Sequence, residues 1–261
     1  MHMNSIPEQL ITPLKHLLLA LADDKLMLGH RNSDWTGLGP ILEEDIAFSA
    51  LAQDEIAHAQ AVYRFLSDIT GKDENALAFG RAADEYRCAT IVEPPDEFDW
   101  AVAIVRQFFC DHYDLLRLTR MAQSSHKPLA DLAQRIADEE QVHVEHANEW
   151  IKRLGRGSSE SQQRVQNALE RLGPLTASLF EPIDGEAELE KANLYPPLDQ
   201  PLHRLWKQRV EAVLRDAQLT ADLPQPDDSA RSGRHGVHSQ AFTELLDEMC
   251  EVYRLEPDAA W

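Results

Sequence analysis

Cysteine is scarce in this chain. Its 261 residues include 3 cysteines, Cys88, Cys110 and Cys250, which lie far apart and form no Cys-x-x-Cys pair. This scarcity argues against a disulfide framework and against a zinc or iron–sulfur site built from thiolates. A reducing compartment is therefore predicted for the protein.

Long hydrophobic runs are also missing. The first seven residues, MHMNSIP, lack the basic-then-apolar layout of a signal peptide, and no uninterrupted apolar run approaches the length that crosses a bilayer. The sequence thus predicts a soluble, cytoplasmic protein without a membrane association.

Positive charge is in short supply as well. The chain has 25 lysines and arginines against 45 acidic residues, which gives a formal net charge of −20. That charge repels nucleic-acid phosphates and anionic lipid, so neither is predicted as a partner. An anionic ligand of the CoA type would need a local basic pocket.

The chain shows no fixed-period repeat and no convincing strand pattern, but it has long stretches of helical spacing. The first helix is predicted from about residue 7 or 13 to 31, with Thr12 and Pro13 as cap and first turn in the shorter version. The second runs from Pro40 to residue 70, where Gly71 closes it. A crossover over 72–95 follows, with a short helical piece at 74–79.

The second half of the chain is predicted as two more long helices followed by shorter ones. These cover 98–123, 129–154, 158–180 with a kink at Gly173-Pro174, 202–217 and 240–254, with irregular coil over 223–239. Four long helices with short turns and one crossover predict an all-α four-helix bundle. We therefore predict a single domain over 1–261, with a core bundle over about 7–156 and a C-terminal helical extension over about 158–261.

Two Glu-x-x-His quartets stand mid-way along predicted long helices. They are Glu55-x-x-His58 and Glu140-x-x-His143, and the sequence contains no third match. Residues at i and i+3 project from one helix face, so each carboxylate and imidazole can reach the same ion. Paired quartets of this kind are typical of two-metal carboxylate sites inside four-helix bundles.

Further ligands are expected from the other two long helices at the same depth. Asp24 lies 31 residues before Glu55, and Asp111 lies 29 residues before Glu140, each as an acid on an apolar stripe. Asp23 is an alternative to Asp24, because its own helical line is also partly apolar.

The predicted metal ligands are Asp24, Glu55, His58, Asp111, Glu140 and His143. Two imidazoles and four carboxylates suit iron or manganese and offer no soft sulfur, so two iron ions are predicted, with manganese as a substitute. The competing interpretation is that these acids and histidines lie on solvated helix faces.

Several segments resemble the phenylacetyl-CoA epoxidase subunit family, over nearly the entire chain. They are LGHRNSDWTG at 28–37, PILEEDIA at 40–47, LAF at 77–79, RQFF at 106–109, WIKRLG at 150–155, GRHGVH at 233–238 and the helix carrying Leu246 and Met249. The resemblance implies a ferritin-like fold and a subunit of a multicomponent, O₂-dependent di-iron monooxygenase that epoxidises the ring of phenylacetyl-CoA in aerobic phenylacetate catabolism.

The family contains a catalytic subunit and a homologous structural partner, and the layout of this chain is closer to the partner. The best-known partner-type members have lost the metal ligands, whereas this sequence keeps Glu55, His58, Asp111, Glu140 and His143. Two roles therefore stay open: a metal-loaded oxygenase subunit, and a non-catalytic scaffold with a vestigial site. Iron storage ranks third, because the C-terminal extension would obstruct cage assembly.

The resemblance also implies partners. They are a homologous oxygenase subunit, small accessory subunits and an acyl-CoA substrate. Electrons would come from a separate reductase, since no flavin or iron–sulfur motif is visible. The chain is also a candidate homodimer.

Overall fold

The computed structural model describes residues 6–227 and 229–256, and these residues form helices, turns and irregular segments without a strand. The α-helices are α1 (Glu8–Ser33), α2 (Leu42–Thr70), α3 (Glu74–Phe79), α4 (Trp100–Met121), α5 (Lys127–Gly155), α6 (Ser159–Leu172), α7 (Glu186–Lys191), α8 (Leu202–Asp216), α9 (Gln240–Met249) and α10 (Glu251–Leu255). Short 3-10 helices cover Ala83–Glu85, Thr90–Val92, Gly173–Phe180 and Gly233–His235. The predicted all-α, ferritin-like fold class is confirmed.

The described chain divides into two compact units. The terminal unit consists of Pro7–Pro95, Pro182–Gly185 and the described residues from Ala230 onward, and the central unit consists of Asp96–Glu181, Glu186–Ser229 and Ile6. The central unit is thus inserted in sequence between the two ends of the terminal unit. The single domain over 1–261 stays a prediction.

The terminal unit is built on an antiparallel hairpin of α1 and α2. Contacts join Asp23 to Tyr63 and Lys25 to Glu55, so the partner number falls as the first number rises. Gly29 allows the close approach of the two helices, because a Cβ there would lie 2.7 Å from Ile56 Cγ1 and 3.1 Å from the Ala52 carbonyl oxygen. A larger residue at position 29 would force the Ile56 side chain to shift and would crowd the Ala52 carbonyl oxygen.

Helix α1 is buried on every side along its second half. All residues from 17 to 29 are buried, including three consecutive charged residues, Asp23, Asp24 and Lys25. Consecutive helical residues point about 100° apart, so three in a row face three different directions. Each of these charges must therefore find its own partner, because a buried unpaired charge is costly.

The boundaries of α1 and α2 correct the sequence predictions in part. Helix α1 begins at Glu8 and contains Pro13 in its first turns, so the start near residue 7 is confirmed and the start at Pro13 is wrong. Helix α2 begins two residues after Pro40 and ends at Thr70. Gly71 closes it with φ of 69°, the left-handed conformation that glycine adopts without strain.

The central unit is built on an antiparallel hairpin of α4 and α5. Trp100 packs edge-to-face on Trp150 with ring centroids 5.3 Å apart, and the side chains of His112 and Asn148 are hydrogen-bonded at 2.9 Å. Helix α8 packs on α4, where Trp206 Nε1 donates to the Phe109 carbonyl oxygen at 3.0 Å. The predicted helices over 98–123 and 129–154 are confirmed to within two residues at each end.

The shorter helices follow the predicted breaks. The helix capped by Ser158 changes to a 3-10 helix at Gly173, where the sequence predicts a kink. The predicted last helix is divided at Cys250. Helix α7, with 6 residues, was not predicted because it is too short to show a clear period. No helix in the described part of the chain is both long and apolar enough to cross a membrane.

The buried imidazole of His112 makes the stability of the protein depend on pH. Burial lowers the pKa of His112 from its ordinary 6.5 to about 4, although the hydrogen bond with Asn148 opposes that shift. Between pH 6.5 and 4 the unfolded chain therefore binds a proton that the folded chain does not. The stabilisation that neutral His112 provides is full above pH 6.5 and is lost as the pH falls.

We expect wild-type protein to lose about 2 kcal/mol more of its free energy of unfolding between pH 7 and pH 5 than a His112→Gln variant, which cannot bind that proton. Urea denaturation of both proteins at the two pH values measures the difference. Equal losses in both proteins would show that His112 is already protonated in the folded state at pH 5.

Candidate functional site

The central unit brings three of the predicted ligands together. Asp111 on α4 and Glu140 and His143 on α5 are all buried, and each offers a ligand atom within 4.8 Å of the others. His143 Nδ1 lies 3.7 Å from Glu140 Oε2. The Asp111 carboxylate also accepts a hydrogen bond from the side-chain amide of Gln107, one turn earlier. These three side chains have the chemistry and the proximity to hold one cation.

In the terminal unit, the first Glu-x-x-His quartet lies beside a buried lysine. Glu55 and His58 are buried on α2, as the sequence pattern predicts for a core-facing pair. The Lys25 Nζ atom lies 2.8 Å from Glu55 Oε2, and both side chains have 0% exposure. Within this unit, the positive charge beside the Glu55 carboxylate is therefore the ammonium group of Lys25 on α1.

Asp24 is held by an arginine from the other end of the chain. The guanidinium of Arg234 donates to both carboxylate oxygens of Asp24, at 2.8 Å to Oδ1 and 2.7 Å to Oδ2. The backbone N–H of Ala89 also donates to Oδ1, at 2.7 Å. This bidentate contact is the strongest geometry available to an ion pair in proteins.

The carboxylate of Asp23, the alternative ligand, also accepts hydrogen bonds from protein donors. It accepts hydrogen bonds from the Tyr63 hydroxyl, from the backbone N–H of Arg87 at 2.6 Å, and from the Arg81 guanidinium. Burial, and then the negative charge of Asp23, raise the pKa of Tyr63 well above its usual value, so the phenol keeps its proton and donates it. Among the described residues, neither Asp23 nor Asp24 joins a cluster of three or more metal-ligating side chains.

Lys25, Arg81 and Arg234 were not predicted from the sequence, although one signal for Lys25 was present. Three charged residues at positions 23–25 interrupt a run that is otherwise apolar on every helical face. Such a run predicts a helix that is buried all round, where a lysine needs a buried acid as its partner. The pairing of Asp24 with Arg234 spans 210 residues and leaves no local pattern.

Part of the predicted set of six metal ligands lies beside buried protein cations. Two of its four carboxylates, Asp24 and Glu55, are already neutralised by the buried cations Arg234 and Lys25. A metal ion at Asp24 would have to displace a guanidinium that donates to both carboxylate oxygens, and a metal ion at Glu55 would meet an ammonium group 2.8 Å from Oε2. The charge that two iron ions would supply to these acids is therefore supplied by the protein itself.

Comparison with known proteins agrees with the sequence resemblance. The family model described as "Phenylacetic acid catabolic protein" matches residues 2–261. The chain belongs to this family. It is also 29% identical over 244 residues to one of the 1,2-phenylacetyl-CoA epoxidase subunits of Escherichia coli (strain K12), a match that covers 93% of this chain and 97% of that protein.

Membership in the phenylacetic acid catabolic protein family supports a role for the chain in phenylacetate catabolism. The Escherichia coli relative is named as part of an epoxidase, so the predicted resemblance is confirmed at the level of the family. Within that family, the pairing of Lys25 with Glu55 is the feature that bears on whether this chain holds metal.

Proposed function

We propose that this chain is the non-catalytic, structural subunit of a phenylacetyl-CoA epoxidase complex. The observation that carries the proposal is the fully buried contact between Lys25 and Glu55. A lysine ammonium places one positive charge beside the carboxylate, but it cannot change oxidation state or exchange ligands, as a redox metal does. A helix hairpin that neutralises its acids with lysine and arginine keeps its fold without iron.

The electrostatics of the terminal unit support this proposal. Buried carboxylates need a charged partner, which in a metalloprotein is the metal. Here the partners are side chains of the protein. The buried ion pairs are Lys25 with Glu55, Arg234 with Asp24, and Arg81 with Asp23. The three buried acids of α1 and α2 thus each have a protein cation beside them, and their charge is balanced without a metal ion.

An exposed apolar surface also supports a structural role. Leu38, Ile41, Leu42 and Ile46 lie on the loop before α2 and on its first turns, and their exposed fractions run from 44% to 69%. Large apolar side chains exposed within one short segment favour a protein contact. We propose that this surface is covered by the homologous oxygenase subunit, with accessory subunits, a reductase and the acyl-CoA substrate completing the cytoplasmic system.

A second candidate function is a metal-loaded oxygenase subunit. The observation that favours it is the cluster of Asp111, Glu140 and His143 in the central unit, which keeps three ligand atoms within 4.8 Å of one another. These residues could hold one ion whether or not Lys25 stays on Glu55. A metal there would supply redox chemistry with O₂, and manganese could substitute for iron.

Iron content separates the two candidates. After anaerobic loading with ferrous iron and removal of excess metal, the purified chain is expected to retain far fewer than two irons, because Lys25 and Arg234 already occupy two of the predicted ligands. A Glu140→Ala variant, loaded in parallel, should retain the same amount. Epoxidation of phenylacetyl-CoA is expected only when the homologous subunit is added.

The opposite outcome would be clear. About two irons per chain in the wild-type protein, lost in the Glu140→Ala variant, would establish the oxygenase candidate and end the structural one. One iron per chain with the same loss would assign a single ion to the central unit.

A further inference from the structure

A second group of metal-ligating side chains lies in the terminal unit. Cys88, Glu93 and His238 each offer a ligand atom within 4.8 Å of the others. Cys88 and Glu93 flank the 3-10 helix Thr90–Val92, and His238 lies directly before Ser239, the N-cap of α9. All three side chains are buried, with 4% exposure for that of His238. None of the three belongs to the ligand set predicted from the Glu-x-x-His quartets.

Hydrogen bonds fix the orientation of the His238 ring. Its Nε2 lies 3.2 Å from the Tyr86 carbonyl oxygen, which can only accept, so Nε2 carries a proton and donates it. In the neutral ring, Nδ1 then presents a lone pair. A histidine that donates one ring nitrogen to a backbone carbonyl has the arrangement found for most metal-binding histidines.

The lone pair of Nδ1 points to other electron-rich atoms. Nδ1 lies 2.9 Å from Glu93 Oε1 and 3.9 Å from the Cys88 sulfur. The second carboxylate oxygen of Glu93 accepts the backbone N–H of Ser239 at 2.9 Å, which fixes the carboxylate as well. An imidazole nitrogen, a carboxylate oxygen and a sulfur therefore lie close together, in an arrangement that a bound cation would stabilise.

We propose that Cys88, Glu93 and His238 form a binding site for a divalent metal ion, with zinc the best match. Sulfur, imidazole nitrogen and carboxylate oxygen are the three donor types that zinc takes in proteins. Their bond lengths to one tetrahedral zinc ion place the donor atoms about 3.3–3.6 Å apart. The two His238 separations, 2.9 Å to Glu93 Oε1 and 3.9 Å to the Cys88 sulfur, lie on either side of this range, and the sulfur lies within 4.8 Å of the Glu93 carboxylate. A thiolate and a carboxylate also balance the charge of the ion.

The protonation of Cys88 distinguishes a metal site from a metal-free hydrogen-bonded cluster. Burial, and then the negative charge of Glu93, raise the pKa of the Cys88 thiol well above its usual value. Without metal the thiol therefore keeps its proton. With metal its proton is displaced, and sulfur becomes a ligand.

A nucleophile–histidine–acid triad does not fit these distances. In such a triad the acid and the nucleophile contact opposite nitrogens of the ring, so that a proton can pass through the imidazole. Here the Cys88 sulfur and Glu93 Oε1 both lie beside Nδ1, and Nε2 is engaged by the Tyr86 carbonyl. The geometry therefore favours shared coordination over proton relay.

The metal would join two segments that are far apart in sequence. Gly233 lies against the Cys88 backbone, where an added Cβ would be 2.1 Å from the Cys88 carbonyl oxygen. The next residue, Arg234, reaches Asp24. A metal at Cys88, Glu93 and His238 would thus hold the loop that delivers Arg234 to α1.

Cobalt(II) is the probe that tests the site, because sulfur ligation gives it a near-ultraviolet charge-transfer band that oxygen and nitrogen ligands do not give. Metal-free full-length chain titrated with Co²⁺ is expected to develop this band, saturating at one equivalent, and Zn²⁺ should abolish it. Cobalt held by Asp111, Glu140 and His143 would lack the band, so the two clusters are read separately.

Two variants and a control complete the experiment. Cys88→Ser should abolish the band, and His238→Gln should weaken cobalt binding at least about tenfold while keeping the sulfur. Cys250→Ser removes another buried cysteine of the terminal unit, whose sulfur contacts the Phe79 carbonyl oxygen, and should leave the band unchanged.

The absence of a stoichiometric band in the wild-type protein would overturn the proposal, and so would a band that survives Cys88→Ser. Near-ultraviolet circular dichroism reports whether each variant is folded. If Cys88→Ser does not fold, unchanged cobalt affinity in a folded His238→Gln variant overturns the proposal instead.

Discussion

Replacement of Lys25 by methionine is expected to lower the free energy of unfolding by about 3–5 kcal/mol, one of the two largest effects that we predict for a single substitution in this chain. Methionine has a similar volume and fills the same space, but it leaves the Glu55 carboxylate buried without its ammonium partner, which lies 2.8 Å away in the wild-type protein. Urea denaturation at pH 7 measures the change.

A double variant is the decisive comparison for Lys25. Lys25→Met combined with Glu55→Leu removes both charges, and we expect it to recover most of the lost stability, because apolar pairs often replace buried ion pairs at no cost. Lys127→Met is the matched surface control, since the pair of Lys127 with Asp131 is exposed and should change stability by less than about 1 kcal/mol. If the double variant is no more stable than Lys25→Met, the loss does not come from an unpaired Glu55.

The second large effect is expected at Arg234. Arg234→Met should cost about 3–5 kcal/mol, because both oxygens of the buried Asp24 carboxylate lose a charged donor. The guanidinium also donates to the carbonyl oxygens of Ala20 and Arg87. The substitution therefore also removes the hydrogen bonds that join the Arg234 loop to α1 and to the segment of Arg87. Arg234→Lys should restore only part of the stability, since an ammonium cannot bind both oxygens in the same fork geometry.

Controls for Arg234 are available nearby and at its partner. Arg231→Met removes an exposed positive charge three residues earlier and should have little effect. Combining Arg234→Met with Asp24→Asn should cost much less than the sum of the two single changes, because the two side chains act as a pair. Additive losses in this double-mutant cycle would contradict the role that the structure gives to the pair.

The long helices could be predicted from the sequence because their signals are local. Gly71 and Ser158 mark helix ends through the conformation of one residue or one side-chain hydrogen bond, and the structure confirms both. Pro13 was misleading as a helix start, because α1 continues through it. A proline inside a helix removes one backbone hydrogen bond, and packing against a neighbouring helix can offset that loss of stability. Helix α7 is too short for periodicity to reveal.

The grouping of candidate ligands on α4 and α5 could be predicted from the sequence. Asp111, Glu140 and His143 come from one helical hairpin, so helix length and turn length set their register, and the structure places them together. Lys25 was overlooked because the spacing of acids and histidines indicates metal ligands and carries no information about cations that neutralise them. The register of α1 on α2 brings residue 25 to Glu55, and a shift of one residue in α1 turns a side chain by about 100°.

Contacts between distant parts of the chain escaped prediction altogether. Arg234 reaches Asp24 across 210 residues, and His238 reaches Cys88 across 150. Neither pair leaves a spacing pattern, because the central unit stands between the two ends of the terminal unit in sequence. Only the arrangement of the folded terminal unit reveals that the GRHGVH segment provides a partner for α1.

This arrangement has a consequence for the synthesis of the protein on the ribosome. Asp24 is buried beside Arg234, which is synthesised 210 residues later, a delay of about 10–40 s at 5–20 residues per second. Until Arg234 has been synthesised, the Asp24 carboxylate lacks its guanidinium partner and stays hydrated. The nascent α1 therefore cannot take its final buried position. The central unit, whose described segments end at Ser229, can fold first, and the helix that is made at the beginning is the last to be completed.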